Sequence, residues 1–524
     1  MRSFINFLKS KRLHGTIPPF FLLILGLCWT FASPIGSAPD EDFHLTTIWC
    51  LKGENNLCNF GVNDSRKVPA LWSSWPPCYV NWPNSDKSAE CLTNLELPLQ
   101  LVATNRYSRP GERPALFYRV MNSFAGDNPI NSVNFMRFFN TLISAFLFFL
   151  AIYVAPFIVK RAIILSWGLV LIPIGIFNIA STNSSSWTIT GIGTLWAFLL
   201  SLIFHRKSRN KMFYLSILGV ALSLVISLGS RNDSRVYVII TFIAIAVLFI
   251  KKIWIMKHIY LIIFISILAL SLAINILWKF IFNFGKPVRY YPGAVIESDQ
   301  PNALIVLLLD FPAFFYSLIG GQIYQEDQNR GILFRNFAHG VSWSDFDFPS
   351  IVGILMGFSL LLVLSISTTK SSLPKILSII FVFFSLISVI IYTRGFDPTS
   401  NDSQITPRYM FPLFLLLIAL ALLIKTANYP LLGPVQSLVI TSFLTIGGSL
   451  AWLVTISRFS IGPNAAFTNF WKSPEWWALS TTFSRLEFFA LATLITFFWY
   501  LSTIYAWGRM KESNEPTFIK TLKE

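Results

Sequence analysis

Long apolar segments separated by short polar junctions make up most of the chain. A helix needs roughly 20 apolar residues to cross a bilayer, and a window of that length finds about twelve such segments. They lie at 17–36, 136–158, 162–180, 188–204, 212–229, 236–250, 259–279, 350–368, 374–393, 407–425, 434–456 and 483–507. This pattern predicts an all-α integral membrane protein with a bundle of about 12 transmembrane helices.

Basic side chains cluster at every second junction. They are Arg2, Lys9, Lys11, Arg12, Lys160, Arg161, Arg206, Lys207, Arg209, Lys211, Lys251, Lys252, Lys257, Lys370, Lys375, Lys425, Arg509 and Lys511. Cytoplasmic junctions carry such an excess, so the alternation predicts that both termini are cytoplasmic and that the protein lies in the plasma (inner) membrane. The formal charge of +16 on 524 residues follows mostly from this topology. Because the cations mark helix ends rather than one face, we expect no nucleic-acid partner.

The same topology divides the chain into seven parts. They are a cytoplasmic amino terminus (1–16), the first transmembrane helix (17–36), an extracytoplasmic loop (37–135, loop one), transmembrane helices 2–7 (136–279), a second extracytoplasmic loop (280–349), transmembrane helices 8–12 (350–507) and a cytoplasmic tail (508–524). The apolar stretch 304–325 would invert every later junction if it crossed the bilayer, so we predict a re-entrant or interfacial helix there. The first segment could be a signal peptide cleaved after Ala38, but its length favours an uncleaved anchor.

Four of the five cysteines, Cys50, Cys58, Cys78 and Cys91, lie in loop one. An even number in an exported loop predicts two disulfides, for which three pairings are open. We favour Cys50–Cys58 and Cys78–Cys91 because both pairs close short loops. A metal site is the weaker alternative, because no histidine lies among these cysteines and no close CxxC spacing occurs.

Loop one is also rich in aromatic side chains, namely Trp49, Trp72, Trp75, Tyr79 and Trp82. Their rings have two uses: stacking on the faces of sugars, or packing a small disulfide-stapled core. We favour the core.

Three consecutive acids, Asp40, Glu41 and Asp42, follow the first apolar segment in "SAPDEDFH". One interpretation is a helix start, because Pro39 fits a first turn and acids complement the helix dipole. His44 would then lie on the same face as Asp40, one turn further on. The other interpretation is a chemical site at the membrane surface, where anionic groups beside anionic headgroups need compensating charge. The sequence leaves both open.

Loop one supplies compensating charge in "NRYSRPGERPALFYR", which holds Arg106, Arg109, Arg113 and Arg119. Further cations on the predicted outer side are Arg231, Arg235, Lys286, Arg289, Arg394 and Arg408. Guanidinium groups bind phosphate through paired hydrogen bonds. A carboxylate facing a cationic phosphate site suggests sugar transfer from a lipid phosphate, because the carboxylate takes the proton of the acceptor hydroxyl while cations stabilise the leaving phosphate. That leaving group needs no general acid, so one carboxylate suffices.

Several stretches resemble a bacterial membrane family, domain of unknown function 2142, which is grouped with the GT-C glycosyltransferase superfamily. They are "PDEDFH" (39–44), "RPALFYRVMNSFAG" (113–126), "STNSSSWTITGIGTLWA" (181–197), "HGVSWSDFDFPS" (339–350) and "QITPRYMFPLF" (404–414). The resemblance implies a GT-C-like fold in which Asp40 is the catalytic base and Glu41 its acidic companion. It also implies that Arg408 and Tyr409 lie at the outer mouth of a late helix and that Asp345 and Asp347 belong to an acidic region.

We therefore predict a GT-C-type membrane glycosyltransferase that moves a sugar from a polyprenyl-phosphate donor to a cell-envelope glycan or lipid acceptor on the extracytoplasmic face. The predicted lipid-phosphate residues are Arg113, Arg119, Arg408 and Tyr409. The predicted acceptor or supporting residues are Asp42, His44, Asp345 and Asp347. Membrane lipid is a further partner. The chemistry requires no cofactor, although the acidic cluster could hold a divalent metal.

The alternative functions are a transporter or flippase of lipid-linked saccharides, a polymerase or ligase that uses a diphosphate-linked oligosaccharide, and a purely structural membrane protein. A transporter needs ionisable groups within its spans. The apolar segments are nearly free of charge, and this favours an enzyme over a transporter.

Overall fold

The structure is a computed structural model, and it describes part of the chain. The described residues are 15–73, 79, 88–92, 99–171, 173–249, 348–368, 371–395, 409–423, 430–462, 470, 476–479 and 482–510. The predicted span at 259–279 and the predicted re-entrant or interfacial helix at 304–325 lie outside these residues.

Apolar helices dominate the described part of the chain. In chain order they are α1 (Ile17–Ala32), α2 (Glu41–Trp49), α3 (Ala70–Ser73), α4 (Ala115–Asn122), α5 (Pro129–Val154), α6 (Phe157–Val170), α7 (Pro173–Ile179), α8 (Ser185–His205), α9 (Lys211–Leu228), α10 (Ser234–Leu248), α11 (Ser350–Thr368), α12 (Leu373–Gly395), α13 (Phe411–Leu422), α14 (Pro434–Ile461), α15 (Arg485–Tyr500) and α16 (Ala506–Gly508). A π-helical turn, Leu501–Tyr505, joins the last two helices.

Every predicted span within the described residues contains an apolar helix, but the number of spans is not confirmed as twelve. Five described helices are long and apolar enough to cross a membrane, or six if one bent pair is a single span. The other apolar helices are shorter; α1, for example, ends at Ala32 rather than at residue 36. Its end follows from Pro34, because the residue before a proline, here Ser33, favours extended backbone.

The predicted span 162–180 is not one straight helix. It is the bent pair α6 and α7, whose axes differ by 101°. Pro173 begins α7. A proline has no N–H for the helical hydrogen bond, and its ring clashes with the carbonyl group one turn earlier, so the helix bends there. The bend matters for the site, because the turn that follows α7 contacts the acidic motif.

Small residues let the helices approach closely. Gly191 of α8 lies against α9, where a Cβ atom would clash with Ser227. The same pair of helices is joined by a hydrogen bond of 3.0 Å between the hydroxyls of Thr194 and Ser223. Small residues and hydroxyl pairs of this kind hold helices together in a membrane. Burying apolar side chains between helices gives little free energy there, because the surrounding lipid is equally apolar.

Contacts between helix termini define the two ends of the helical bundle. At one, the loop-one end, the Asn183 side chain donates to the Pro39 carbonyl, and the Tyr237 hydroxyl donates to the Tyr409 carbonyl. At the other, the His205 ring lies 2.9 Å from the Val154 carbonyl. The basic junctions that follow α5, α8 and α11 in the predicted alternation belong to that second end. Which side of the membrane each end faces stays a prediction.

Loop one contains a small antiparallel sheet with the order β1 (Asn59–Phe60), β2 (Arg66–Pro69) and β3 (Leu101–Thr104). The predicted disulfide Cys50–Cys58 is confirmed, and it ties the end of α2 to the start of this sheet. Cys78 and the side chain of Cys91 lie outside the described residues, so their pairing stays a prediction.

The aromatic residues of loop one pack a core, as expected. Trp49 and Trp72 are buried with ring centroids 5.0 Å apart, and Tyr79 is also buried. The two remaining tryptophans, Trp75 and Trp82, lie outside the described residues.

Candidate functional site

The acidic motif starts a helix, as the first interpretation predicts. Asp40 is the N-cap of α2, and Glu41 and Asp42 lie in its first turn. Asp40 has a left-handed backbone, with φ of 58° and ψ of 16°, and its side chain makes no capping hydrogen bond. Left-handed backbone is uncommon for a residue other than glycine, although aspartate tolerates it better than most. The Asp40 carboxylate is therefore used for something other than capping.

Asp40 and Asp42 share one guanidinium group, that of Arg106. Arg106 Nε lies 2.5 Å from Asp42 Oδ2, and Arg106 Nη2 lies 3.1 Å from Asp40 Oδ1. The Asp42 side chain is only 2% exposed, whereas Asp40 and Arg106 are 34% and 36% exposed. The trio is thus anchored in the protein at Asp42 and open to solvent at Asp40.

Charge and burial act against each other in this trio. Burial raises the pKa of Asp42 above the ordinary aspartate value, and the Arg106 charge opposes that shift. Burial alone would lower the pKa of Arg106, but its pairs with Asp42 and Asp40 raise it. Arg106 therefore stays cationic and keeps both carboxylates within its field.

The small sheet of loop one places Arg106. The residue follows β3, and its backbone N–H donates to Thr104 Oγ1 at 3.1 Å. Two residues further on, the Ser108 N–H donates to Thr47 Oγ1 of α2 at 2.8 Å. Between these two residues, the Tyr107 hydroxyl donates a hydrogen bond to the Asp64 carbonyl at 2.7 Å. The guanidinium is thus carried by the sheet and fixed directly on the helix that bears the acids.

Glu41 points the other way, into the bundle. Its Oε2 lies 2.7 Å from Arg137 Nη2 of α5, and the two side chains are 0% and 1% exposed. Arg137 also donates to the Ser33 and Pro34 carbonyls after α1, at 2.7 and 2.9 Å. Glu41 Oε1 accepts the Thr182 N–H from the turn after α7 at 3.1 Å. This pair joins three helix ends behind the acidic motif.

Arg137 had a sequence signal that the prediction did not use. It lies one position inside the predicted span 136–158, and a charge at such a position requires a partner.

Arg113 lies on the other side of α2. Its guanidinium is 4.5 Å from the Phe43 ring centroid, and its charge acts on the Tyr118 hydroxyl. Among the described residues, Arg113 forms no ion pair. His44 Nδ1 lies 3.0 Å from the same Tyr118 hydroxyl, so both predicted residues meet at Tyr118.

Tyr118 connects the two halves of the site. Its hydroxyl lies within the fields of Asp40, Arg113 and Arg231. Burial raises the pKa of Tyr118 to about 12, although the two cations oppose the shift. Tyr118 is therefore a neutral hydrogen-bonding group at physiological pH.

Arg231 and Asp233 adjoin this region and were not among the predicted site residues. Arg231 donates to both Asp233 oxygens at 2.9 Å and to Ser185 Oγ at 2.9 Å. Burial alone would raise the pKa of Asp233, but the Arg231 charge lowers it below the ordinary value. The Arg231 guanidinium lies 4.3 Å from the ring centroid of Tyr409, a predicted residue. The sequence did not single out this pair, because an arginine close to an aspartate is common in polar loops and does not by itself indicate a site.

The remaining predicted residues are not brought to this site by the described structure. Arg119 is exposed and forms no ion pair or side-chain hydrogen bond with another described residue. Asp345, Asp347 and Arg408 lie outside the described residues. Within the described ranges, no group of three or more His, Cys, Asp or Glu side chains could hold a metal ion.

The fold and composition thus define an all-α membrane protein with a polar site at one end of its bundle. Residues 23–417 match the family described as "Predicted membrane protein (DUF2142)". This match covers more than half of the chain, and the protein belongs to that family, as its motifs indicated. No curated protein and no solved structure matches the chain.

Proposed function

We propose that this protein is a GT-C-type glycosyltransferase of the plasma (inner) membrane. It transfers a sugar from a polyprenyl-phosphate donor to a cell-envelope glycan or lipid acceptor on the extracytoplasmic face. The observation that carries this proposal is the half-exposed Asp40 carboxylate, held in left-handed backbone beside Arg106 rather than used as a helix cap. Unusual backbone of this kind concentrates at functional sites.

Asp40 is the proposed base. Its carboxylate is exposed enough to meet an acceptor hydroxyl, whereas Glu41 and Asp42 are buried in ion pairs. A base must reach the proton that it removes, so burial decides among the three acids. Glu41 is accordingly a structural residue in this proposal, and Asp42 anchors Arg106.

Arg113 is the proposed contact for the donor phosphate. It is half-buried, it stacks on Phe43, and it forms no ion pair with a described carboxylate. A guanidinium held in this way keeps donors for a phosphate and loses little conformational freedom on binding it. Asp40 and Arg113 both act on the Tyr118 hydroxyl, which supports a single site for base and phosphate.

The test is chemical analysis of envelope glycans from cells that lack the protein and cells that carry it. The component that disappears identifies the product. Cells carrying only Asp40→Asn are expected to lack the same component, with normal amounts of the variant in the membrane. Asp127→Asn is the matched control, because Asp127 is an exposed acid of the same loop outside this site. Normal glycans in the Asp40→Asn cells would contradict the proposal.

A further inference from the structure

We propose that Asn232 is a positioning residue that holds Arg113 in place to bind the donor phosphate. Asn232 lies in the loop between α9 and α10 (229–233, the α9–α10 loop). This loop contacts loop one directly before Arg113 and again four residues after it. The inference rests on the proposed function, because Arg113 is the proposed phosphate contact. It adds to that function a second segment of the chain on which phosphate binding depends.

The first contact fixes the backbone at Arg113 itself. The Asn232 side chain donates to the Glu112 carbonyl at 2.7 Å, across 120 positions of sequence. That carbonyl belongs to the peptide bond between Glu112 and Arg113. Because a peptide bond is planar, a hydrogen bond to its oxygen also restricts the N–H and Cα of the following residue. Asn232 therefore limits the directions in which the Arg113 side chain can leave the backbone.

The second contact caps the helix that follows Arg113. The first N–H groups of a helix have no partner within it, and Pro114, the N-cap of α4, makes no side-chain cap. The Phe117 N–H donates instead to the Gly229 carbonyl at 3.1 Å. Leu116 packs so closely here that a Cβ atom on Gly229 would lie 2.5 Å from Leu116 Cδ2. The start of α4 is thus fixed on the α9–α10 loop.

The α9–α10 loop can position a neighbour because other helices hold it. Arg231 pairs with Asp233 within the loop and donates to Ser185 Oγ at the start of α8, at 2.9 Å. The Arg231 guanidinium also lies 4.3 Å from the ring centroid of Tyr409, just before α13. Arg113 is therefore tied to a support that spans several helices. An arginine held in this way loses less conformational freedom when it binds a ligand.

The loop contributes position rather than a second phosphate-binding charge. Burial raises the pKa of Tyr118, and the charges of Arg113 and Arg231 both oppose that shift, so the two cations act on one hydroxyl. Arg231 is neutralised by Asp233, whose oxygens accept from its Nε and Nη2. Arg113 forms no ion pair with a described carboxylate. The phosphate is thus expected to bind Arg113, and the loop to determine where Arg113 lies.

The test measures binding of farnesyl phosphate, a short polyprenyl phosphate, to the purified full-length protein by titration calorimetry. Asn232→Ala is expected to weaken binding by about 2- to 10-fold, as loss of one hydrogen bond does. In the Arg113→Gln background, the same substitution is expected to cause no further loss, because the effects of coupled residues do not add.

Asn131→Ala is the matched control and is expected to leave the affinity unchanged. Asn131 is an exposed asparagine at the same end of the bundle, in the first turn of α5, and its side chain makes no hydrogen bond to another described residue.

Each outcome decides the inference. A loss in Asn232→Ala that disappears when Arg113 is replaced supports it. The same loss in both backgrounds is what a purely structural role would give; that result, or no loss in either background, overturns the inference and leaves Arg113 as the proposed contact. If the wild type does not bind farnesyl phosphate, or if Arg113→Gln binds it as well as the wild type does, the proposed donor site is wrong and the inference falls with it.

Discussion

Two ion pairs of the acidic motif differ in burial and in the partners of their arginines. Glu41–Arg137 is fully buried, and Arg137 also donates to two carbonyls after α1. Asp40–Arg106 is about one-third exposed, with Asp40 in left-handed backbone. Adjacent residues thus form one pair that is buried among helix ends and one pair that solvent reaches.

The left-handed residue explains how both pairs arise from adjacent positions. In a regular helix, residues two apart do not face each other, so Asp40 and Asp42 could not share a cation. The conformation of Asp40 at the helix start redirects its side chain toward Arg106. Glu41 lies between them and faces the bundle. The three acids therefore have different environments although they form one short run.

The largest effect on stability is expected for Glu41→Gln. The substitution leaves Arg137 buried without its carboxylate, and breaking a buried pair costs about 3–5 kcal/mol. Expression and thermal unfolding in detergent measure the loss. Asp40→Asn in the same assay is the control and is expected to cost less than about 1 kcal/mol, because exposed pairs contribute little. Equal losses in the two variants would remove the distinction between the pairs.

A smaller effect, on ligand affinity, is expected for Arg113→Gln. Charge-assisted hydrogen bonds contribute about 1.5–3 kcal/mol, so farnesyl phosphate should bind roughly 10- to 100-fold more weakly. Arg119→Gln, six residues further along loop one, is the matched control. The affinity of this variant is expected to stay within about 2-fold of the wild type, because an exposed arginine contributes little. A reversal of these two results would place the phosphate at Arg119.

Asp42→Asn is expected to lower the free energy of unfolding by less than Glu41→Gln does, because the arginine partners of the two acids differ in burial. Asp42 is buried, but its partner Arg106 is part exposed and keeps Asp40, so we expect a loss of about 1–2 kcal/mol. Thermal unfolding measures it. A loss as large as that of Glu41→Gln would mean that Arg106 is a structural residue, like Arg137.

The smallest effect is expected for Tyr118→Phe, which removes the hydroxyl that lies 3.0 Å from His44 Nδ1 and within the field of Arg113. A hydrogen bond contributes about 0.5–1.5 kcal/mol, so affinity for farnesyl phosphate should fall by roughly 2- to 10-fold. The pKa of Tyr118, raised to about 12, lies above the range tested, so the hydroxyl keeps its proton and the ratio of affinities should be the same at pH 6 and pH 9. A ratio that changes between these values would show that a group in this contact titrates there.

Periodicity predicted most of the helices, because apolar length acts locally. Pro39 and the run of acids indicated a helix start as one of two interpretations, although the helix begins at Glu41 and Pro39 lies outside its first turn. Periodicity could not predict the bend at Pro173, since a proline within an apolar run also occurs in straight spans. The sequence identified Asp40 and Arg113 from residue type and order. It listed Arg106 only among the cations of loop one, because nothing local indicates that the chain folds back through a three-stranded sheet and brings Arg106 to Asp40 and Asp42. Arg137 was missed as a site residue because its partner Glu41 lies 96 positions away. Arg231 was missed although Asp233 is only two positions away, because that spacing does not show that Arg231 lies against the Tyr409 ring.

The central claim is that Asp40 removes the proton of the acceptor. The direct test is the initial rate of sugar transfer to the envelope acceptor in membranes that contain equal amounts of wild type, Asp40→Asn or Asp127→Asn. We predict that Asp40→Asn lowers the rate by about 100-fold or more, as loss of a general base does, while Asp127→Asn leaves it unchanged. A wild-type rate in Asp40→Asn membranes would contradict the account.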